Sequence, residues 1–124
     1  MAESKNKKIL IAEDDKPIAK ALELKLKNSG FDVVTVVNGE EAMVEAEKGN
    51  LDMILLDLMM PKKDGFAFLE EAKAKKIKTP VIILSNLSQE GDMQKAKKLG
   101  ASNYFVKSNT PLIEIVANIK KILG

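Results

Sequence analysis

The chain has 124 residues, 45% of them hydrophobic and 31% charged, with a formal net charge of +2. This length and composition are typical of one globular domain with a substantial hydrophobic core. Cysteine and histidine are both absent from the sequence, which excludes disulfide bonds, thiolate nucleophiles, a histidine general base and ordinary zinc sites. A hard cation that prefers oxygen ligands remains compatible with this composition.

All 20 basic residues are lysine, so the side chain best suited to bidentate recognition of bases and phosphates is missing. Because the net charge is close to balance, we expect no direct binding to nucleic acid and no attraction to anionic membranes. Residues 1–8 are polar, and no apolar run approaches the length of a membrane span. We therefore expect a cytoplasmic protein with one domain over residues 1–124, whose first seven residues or so form a flexible tail.

Apolar runs alternate with helix-like segments along the whole chain. Near-continuous apolar runs are typical of strands buried on both faces of a parallel sheet, and apolar residues three or four apart predict helices that bury one face. Strict alternation favours a parallel sheet with helices on both of its faces. In chain order we predict a strand at 9–12, a helix at 16–28, a strand at 32–37, a helix from 39 to about 49, a strand at 53–56, a helix at 66–75, a strand at 81–84, a helix at 89–99, a strand at 103–106 and a helix from 111 to about 122.

Capping patterns mark the start of two of these helices. Asn38 followed by Glu41 is the pattern of a capping box for the second helix. Thr110 followed by Pro111 predicts an N-cap with proline in the first helical position of the fifth helix. Helix starts of this kind agree with the periodicity that defines the elements.

The inward faces of the third and fifth helices follow from the same periodicity. In the third helix we expect Phe66 and Leu69 to face the core, with Phe68 as a further candidate. In the fifth helix the predicted inward stripe comprises Leu112, Ile115, Val116, Ile119 and Ile122.

Four of the predicted strands lead directly to residues suited to phosphate chemistry. The first strand leads to Glu13 and Asp14, the third to Asp57, the fourth to Ser85 and the fifth to Lys107. The carboxyl ends of parallel strands meet at one edge of the sheet, where ligands bind in open α/β folds. We therefore expect one site that contains several carboxylates, a hydroxyl and an ammonium.

These residues lie in motifs that resemble those of response-regulator receiver domains over nearly the whole chain. The motifs are Glu13-Asp14-Asp15 after the first strand, the segment 57–65 (DLMMPKKDG) after the third, Ser85 after the fourth, and the segment 100–107 (GASNYFVK) around the fifth. The resemblance implies a flavodoxin-like fold. This is a doubly wound α/β fold with a five-stranded parallel sheet in the order 2-1-3-4-5 and helices on both faces.

The resemblance also implies a magnesium site among these residues. Mg²⁺ would be held directly by Asp14, Asp57 and the backbone carbonyl of Met59, while Glu13 would act through a water molecule. Three neighbouring carboxylates repel one another unless a cation lies among them, which agrees with such a site.

By the same resemblance, Asp57 would accept a phosphoryl group, and Ser85 and Lys107 would contact that group. Ser85 and Tyr104 would form a switch, in which Tyr104 starts on the outward side of the last strand and turns inward. The implied phosphodonor is a sensor histidine kinase or a histidine phosphotransfer protein. A downstream protein would bind to the fourth helix, fifth strand and fifth helix of a chain that is a monomer or a weak dimer. We do not expect an enzyme beyond its own phosphorylation and slow dephosphorylation.

Three positions depart from the family pattern. Asn86 follows Ser85 where alanine or glycine is usual, and it narrows access for a phosphodonor. Ser108 follows Lys107 where proline is usual, so we expect a trans peptide bond there. Asn103 stands in place of an aspartate that is common in dimerising, DNA-binding receivers, which disfavours their charge-paired dimer.

Two apolar residues bear on how long a phosphoryl group would persist. Met59 lies two positions beyond Asp57, and Leu87 lies two positions beyond Ser85. Neither side chain positions an attacking water molecule, so we expect slow self-dephosphorylation.

Other functions remain open at this stage. A receiver-like interaction module that has lost phosphorylation would explain Asn86 and Ser108, although the retained carboxylates argue against it. Phosphatases that begin from an aspartate nucleophile carry a second acid two residues later, where this chain has Met59. A flavin-binding electron carrier would need a Ser/Thr/Gly-rich phosphate loop after the first strand. We favour a stand-alone receiver, because no output domain follows the last predicted helix in this sequence.

Overall fold

The computed structural model describes residues 6–87 and 89–123, and most of the predicted flexible tail over residues 1–7 lies outside this range. Strands and helices alternate as predicted, and the α/β architecture is confirmed. Among the described residues, no helix has the length and apolar character needed to cross a bilayer. In chain order the elements are β1 (Lys8–Ala12), α1 (Lys16–Asn28), β2 (Asp32–Val36), α2 (Gly39–Glu47), β3 (Met53–Leu56), α3 (Gly65–Ala74), β4 (Val81–Ser85), α4 (Glu90–Lys98), β5 (Asn103–Val106) and α5 (Leu112–Leu123).

The five strands form one parallel sheet in the order β2-β1-β3-β4-β5, which is the predicted order. In its register, Ile11 lies opposite Leu55, and Leu55 lies opposite Ile82. From β1 the chain continues to β2 on one side of the sheet, and from β3 it continues to β4 and β5 on the other side. The boundary between β1 and β3 is therefore a topological switch point, where the carboxyl ends of these two central strands lie side by side. Ligands of open α/β sheets bind at such a switch point.

Alternate residues of the strands contribute to two hydrophobic layers, one on each face of the sheet. One layer packs strand residues such as Leu10 and Ile54 against α2, α3 and α4. The other packs residues such as Ile9 and Leu55 against α1 and α5. Because both faces of the central strands are covered, their sequences must be apolar at consecutive positions.

Side-chain caps fix the start of the first two helices. The Asp15 carboxylate accepts a hydrogen bond from the Ile18 amide at 3.3 Å, which begins α1. The Asn38 side chain accepts from the Glu41 amide at 2.8 Å, which begins α2 as predicted. The Glu41 carboxylate accepts from the Val37 amide at 3.2 Å, so the capping box closes on the residue before the N-cap.

Each observed element end lies within two residues of the predicted one, and local hydrogen bonds account for two of the differences. Helix α5 begins at Leu112 because the Pro111 carbonyl, and not that of Thr110, accepts the first helical hydrogen bond, from the Ile115 amide at 3.3 Å. Strand β2 ends at Val36, since the next residue uses its amide to bond the Glu41 carboxylate. Both differences arise from local hydrogen bonds that periodicity does not report.

Two of the predicted inward side chains are placed differently. Phe68 is fully buried at 0% exposure, whereas Phe66 is half-buried and packs against the same hydrophobic layer, so Phe68 is the more deeply buried of the two predicted aromatics. Phe66 lies at the flank of α3, where the Lys95 ammonium approaches its ring centroid at 4.4 Å. Ile122 is 43% exposed, because the buried stripe of α5 turns away from it in the last helical turn.

Gly39, the first residue of α2, lies directly against the loop between β3 and α3. A Cβ atom added to Gly39 would overlap the backbone carbonyl of Lys63. Gly91, near the start of α4, has open space in the same position. The contact at Gly39 therefore couples α2 to the loop that follows β3, and it requires a residue without a side chain.

The substitution Gly39→Ala is expected to lower the free energy of unfolding by about 1–3 kcal/mol, because the new methyl group must displace buried backbone. The matched substitution Gly91→Ala should raise it by about 0.5–1 kcal/mol, since alanine is the better helix former and meets no neighbour. Urea unfolding followed by circular dichroism measures both values. Effects of the same sign in the two variants would contradict the role assigned to the contact at Gly39.

Candidate functional site

The carboxyl ends of the two central strands bring three carboxylates together. Asp57 directly follows β3, and its amide donates to the Ala12 carbonyl at 3.0 Å. Glu13 directly follows β1, and its amide donates to the Val36 carbonyl at 3.0 Å. Asp57 is only 4% exposed and Glu13 only 2%, whereas Asp14 is exposed. Carboxylate oxygens of these three residues lie within 4.8 Å of one another, as the sequence predicted.

The ammonium of Lys107 bridges two of these carboxylates. Its Nζ lies 2.7 Å from Glu13 Oε1 and 3.1 Å from Asp57 Oδ2. The Lys107 amide donates to the Ser85 carbonyl at 2.9 Å, so β4 fixes the origin of the side chain. The peptide bond to Ser108 is trans, as predicted, and the described residues contain no cis peptide bond. The bridge supplies the opposite charge that buried carboxylates require.

The bridge and the burial act in opposite directions on the protonation of these groups. Burial raises the pKa of Glu13 to about 7, against the hydrogen bonds that it receives from Lys107 and the Asp15 amide, and the charge of Asp57 adds to the rise. Burial disfavours the charged form of Lys107 and so lowers its pKa. The contacts of the ammonium with Glu13 and Asp57 outweigh this effect and raise the pKa of Lys107 above its ordinary value. The ammonium therefore stays charged at neutral pH.

The composition of the acidic cluster fits a hard divalent cation. Three carboxylates face one ammonium, which leaves a formal excess of negative charge. The potential metal ligands of the cluster are carboxylate oxygens, the type of ligand that Mg²⁺ prefers. The second oxygen of Asp57 accepts from the Met59 amide at 3.1 Å, so the segment that carries the Met59 carbonyl is held next to the cluster.

An open cleft of about 430 Å³ gives solvent access to this cluster, and a second cavity adjoins it. The cleft is lined by Asp14, Asp15, Asp57, Met59, Asn86 and Lys107. The adjoining cavity, of about 400 Å³, is lined mainly by apolar residues of α1 and of the segment that leads into α5, and it shares Lys107 with the cleft. A ligand in the cleft would therefore have an apolar surface beside it.

Ser85 and Tyr104 meet through one intervening residue. The Ser85 hydroxyl is fully buried and accepts from the Leu87 amide at 3.3 Å. The Tyr104 hydroxyl donates to the Leu87 carbonyl at 2.7 Å. The tyrosine ring is half-buried against the layer of α2, α3 and α4, so the expected outward position is wrong for this conformation. Burial, together with the charges of Asp92 and Asp57, raises the pKa of Tyr104 above its ordinary value.

The loop between β3 and α3 contains supporting residues that the sequence analysis missed. A Cβ atom on Gly65 would lie 2.7 Å from the Asp57 carbonyl, so glycine allows α3 to begin directly behind the site. Lys62 has φ of 68°, and the Lys63 amide donates to the Pro61 carbonyl at 2.8 Å across it. A hydrogen bond over two residues with positive φ at its centre defines a γ-turn, which is rare and strained. The Pro and Gly punctuation predicts a turn here but not its type.

Comparison with known proteins gives one consistent result. The family model described as "Response regulator receiver domain" matches residues 9–120. The alkaline phosphatase synthesis transcriptional regulatory protein PhoP of Bacillus subtilis is 38% identical over 118 residues, which are 95% of this chain and 49% of that protein. The chain thus spans about half the length of the curated relatives it matches.

Solved structures agree with this result. The receiver domain of the Francisella response regulator 1452 has a TM-score of 0.88 and 33% identity, with 94% of this chain and 96% of that domain covered. The phosphorylated cyanobacterial phytochrome response regulator RcpA has a TM-score of 0.81 and 35% identity, with 95% and 91% covered. Fold, strand-end site and sequence match agree, and the chain belongs to the response regulator receiver domain family.

Proposed function

We propose that this chain accepts a phosphoryl group on Asp57 and, once modified, changes the surface that a partner protein binds. The observation that carries the proposal is the position of the Lys107 ammonium, 3.1 Å from Asp57 Oδ2 inside an acidic cleft open to solvent. A buried carboxylate next to a cation that offsets transferred negative charge is what phosphoryl transfer to an aspartate requires. Since the sequence has no histidine, the phosphoryl group would come from a donor outside these 124 residues.

The transfer would be a single displacement at phosphorus. A carboxylate oxygen of Asp57 attacks the phosphorus atom, and the bond from phosphorus to the donor breaks. The electron pair of that bond leaves with the imidazole nitrogen of a phosphohistidine or with the oxygen of a small acyl phosphate. Lys107 stays beside the transferred group and offsets its charge, while the buried strand ends keep Asp57 in place.

Mg²⁺, when bound, would offset the charge on the phosphoryl oxygens. Asp14, Asp57 and the backbone carbonyl of Met59 would be its ligands. Glu13 is suited to an indirect role through water, because both of its oxygens are already engaged. Lys107 Nζ lies 2.7 Å from Oε1, and Oε2 accepts from Lys107 at 2.9 Å and from the Asp15 amide at 3.0 Å. This set of ligands is the one that membership of the family implies, and the cluster of three carboxylates is compatible with it.

Two observations on relatives support the proposal and mark its scope. The relative RcpA was solved in a phosphorylated form. Several curated relatives are named transcriptional regulators and are about twice as long as this chain. Their names describe those proteins, and our proposal for this chain is a receiver without DNA contacts of its own.

In place of a charge-paired dimer contact, Asn103 donates to Asn118 at 2.9 Å within the chain, which supports a monomer or weak dimer.

Incubation with a small acyl phosphate and Mg²⁺ should add one phosphoryl group to the protein, and intact mass measures it. We expect no gain in Asp57→Asn, because the amide is not a nucleophile, and little gain after the metal is removed with a chelator. The matched variant Asp52→Asn, at the opposite end of β3, should gain the group normally. A folded wild-type chain that binds Mg²⁺ but gains no mass would favour the alternative, an interaction module that does not depend on phosphorylation.

We further propose that the hydroxyl of Ser85 binds the new phosphoryl group and that Tyr104 senses this contact through Leu87. Both hydroxyl groups already form hydrogen bonds with the backbone of Leu87. The Ser85 hydroxyl accepts from its amide at 3.3 Å, and the Tyr104 hydroxyl donates to its carbonyl at 2.7 Å. A movement of Ser85 would therefore alter the position of the tyrosine on β5. The surface formed by α4, β5 and α5 would present this change to a downstream protein.

Fluorescence of Tyr104, the sole tyrosine of a tryptophan-free chain, should change when the wild-type protein is phosphorylated. In Ser85→Ala we expect the phosphoryl group to be incorporated while the tyrosine signal stays constant, since the link to Leu87 is lost. Ser102→Ala, an exposed serine at the opposite end of β4 and β5 from Ser85, serves as the control and should behave as wild type. A full signal change in Ser85→Ala would contradict the proposed path.

The apolar cavity beside Lys107 is our candidate for the contact with a phosphohistidine protein, such as a sensor histidine kinase or a phosphotransfer protein. It lies between α1 and the start of α5 and adjoins the acidic cleft. An apolar side chain of the donor placed there would hold its histidine near Asp57. Small acyl phosphates would not need this contact, so the two kinds of donor are separable.

Ala21→Glu should slow transfer from a phosphohistidine protein by about tenfold or more, because it places a charge in the cavity that the donor must bury. Transfer from a small acyl phosphate should stay within about twofold of wild type, since only the docking contact is lost. The control Ala74→Glu carries the same change on the exposed end of α3. The measurement is the rate at which a labelled phosphoryl group leaves the donor protein. Equal slowing of transfer from both kinds of donor would refute this docking site.

A further inference from the structure

The methionines of the chain differ sharply in their access to solvent. Met59 is 57% exposed, whereas Met43, Met53 and Met60 are 3%, 0% and 8% exposed, and Met93 is half-buried. Oxidation of methionine follows exposure of the sulfur to dissolved oxidant. Among the described methionines, Met59 should therefore react first by a wide margin.

Met59 also occupies a position where oxidation would matter. Its side chain lines the acidic cleft together with Asp57, Asn86 and Lys107. Its amide donates to Asp57 Oδ1 at 3.1 Å, so its backbone is tied to the phosphoacceptor. Any change in the polarity of this side chain occurs at the entrance through which water reaches Asp57.

We propose that Met59 is a site of reversible oxidation by peroxides and that its sulfoxide shortens the lifetime of the phosphoryl group on Asp57. The inference rests on the proposed function of Asp57 and adds a second chemical input to the same site. Oxidation would reset the switch without any change in the supply of phosphodonor.

The oxidation step uses only the thioether and a peroxide. A lone pair of the sulfur attacks one peroxide oxygen, the O–O bond breaks, and the departing oxygen takes up a proton and leaves as water or an alcohol. Sulfur is oxidised by two electrons to the sulfoxide, and the peroxide is reduced by two. Methionine sulfoxide reductases reverse the change. The product carries a strongly accepting oxygen in place of a sulfur that accepts hydrogen bonds only weakly.

The sulfoxide acts on the hydrolysis of the phosphoryl group. In that step a water oxygen attacks phosphorus, the bond from phosphorus to the Asp57 oxygen breaks, and its electron pair returns to the carboxylate. The water proton passes to the departing phosphate or to solvent. An acceptor at Met59 holds one hydrogen of the attacking water and aims its lone pair at phosphorus. The thioether of the unmodified Met59 accepts hydrogen bonds only weakly and does not hold the water in this way.

The experiment compares the decay of the phosphorylated protein before and after oxidation of Met59. The chain is treated briefly with hydrogen peroxide, freed of it, and then phosphorylated with a small acyl phosphate and Mg²⁺. Peptide mapping by mass spectrometry locates the added oxygen, and intact mass follows the loss of the phosphoryl group after the donor is removed. We expect oxidation at Met59 first and decay faster by roughly threefold to tenfold, the effect of one added hydrogen bond to the attacking water.

Three variants serve as controls. Met59→Leu lacks a sulfur at this position and should decay slowly with or without peroxide. Met59→Gln carries a permanent acceptor and should decay fast without peroxide. Met93→Leu removes the next most accessible of the described methionines and should respond to peroxide as wild type does.

The outcomes separate the inference from the proposed function. If untreated wild-type protein takes up no phosphoryl group, the proposed function fails and the inference fails with it. If the group is taken up but its decay is unchanged or slower when mapping shows complete oxidation of Met59, the inference alone is wrong. It is also overturned if Met59→Leu responds to peroxide as strongly as wild type.

Discussion

The site depends on the bridge that the Lys107 ammonium makes between Glu13 and Asp57. Two carboxyl groups with exposures of 2% and 4% lie close together, and buried groups of this kind need an opposite charge buried with them. The three residues follow three different strands, so the bridge forms only when β1, β3 and β5 are in register in one sheet. The hydrogen bond from the Lys107 amide to Ser85 adds β4 to this arrangement. Correct strand order is thus a condition of the chemistry, and the buried charges disfavour any other order.

The loop behind Asp57 gives this cluster a firm support. Gly65 lets α3 begin in contact with the Asp57 backbone, and Gly39 lets α2 rest on Lys63. The side chain of Lys63 pairs with Glu71 of α3, so the same loop residue contacts two helices. The positive φ of Lys62 is a local cost of roughly 1–2 kcal/mol, and these neighbouring contacts offset it. Backbone held from several sides in this way keeps Asp57 in one position.

The sequence predicted most of the fold because the apolar runs, caps and periodicity are local signals. Strand ends that carry Asp57 and Lys107 predicted the site, since parallel strands bring their carboxyl ends together. Details that depend on packing between elements were not predictable in this way. Phe66 and Phe68 lie two residues apart on a short helix, and only the exact placement of α3 on the sheet decides which is buried. The contact between Gly39 and Lys63 joins segments distant in sequence, and the residues around either one contain no pattern that predicts it.

Stability is distributed unevenly around the site, and the distribution matches the two tasks of a receiver. Helix α3, behind Asp57, buries Phe68, Leu69 and Ala72. Helix α4, beside the Ser85 and Tyr104 contacts, buries Ala96 alone, and its first turn has no side-chain cap. Elements with few buried apolar contacts have low local stability, so a small change in free energy is enough to shift their position. The chemistry is therefore held on the firmly packed side of the sheet edge. Under the proposed function, one new hydrogen bond at Ser85 would bias the position of the weakly anchored helix next to it.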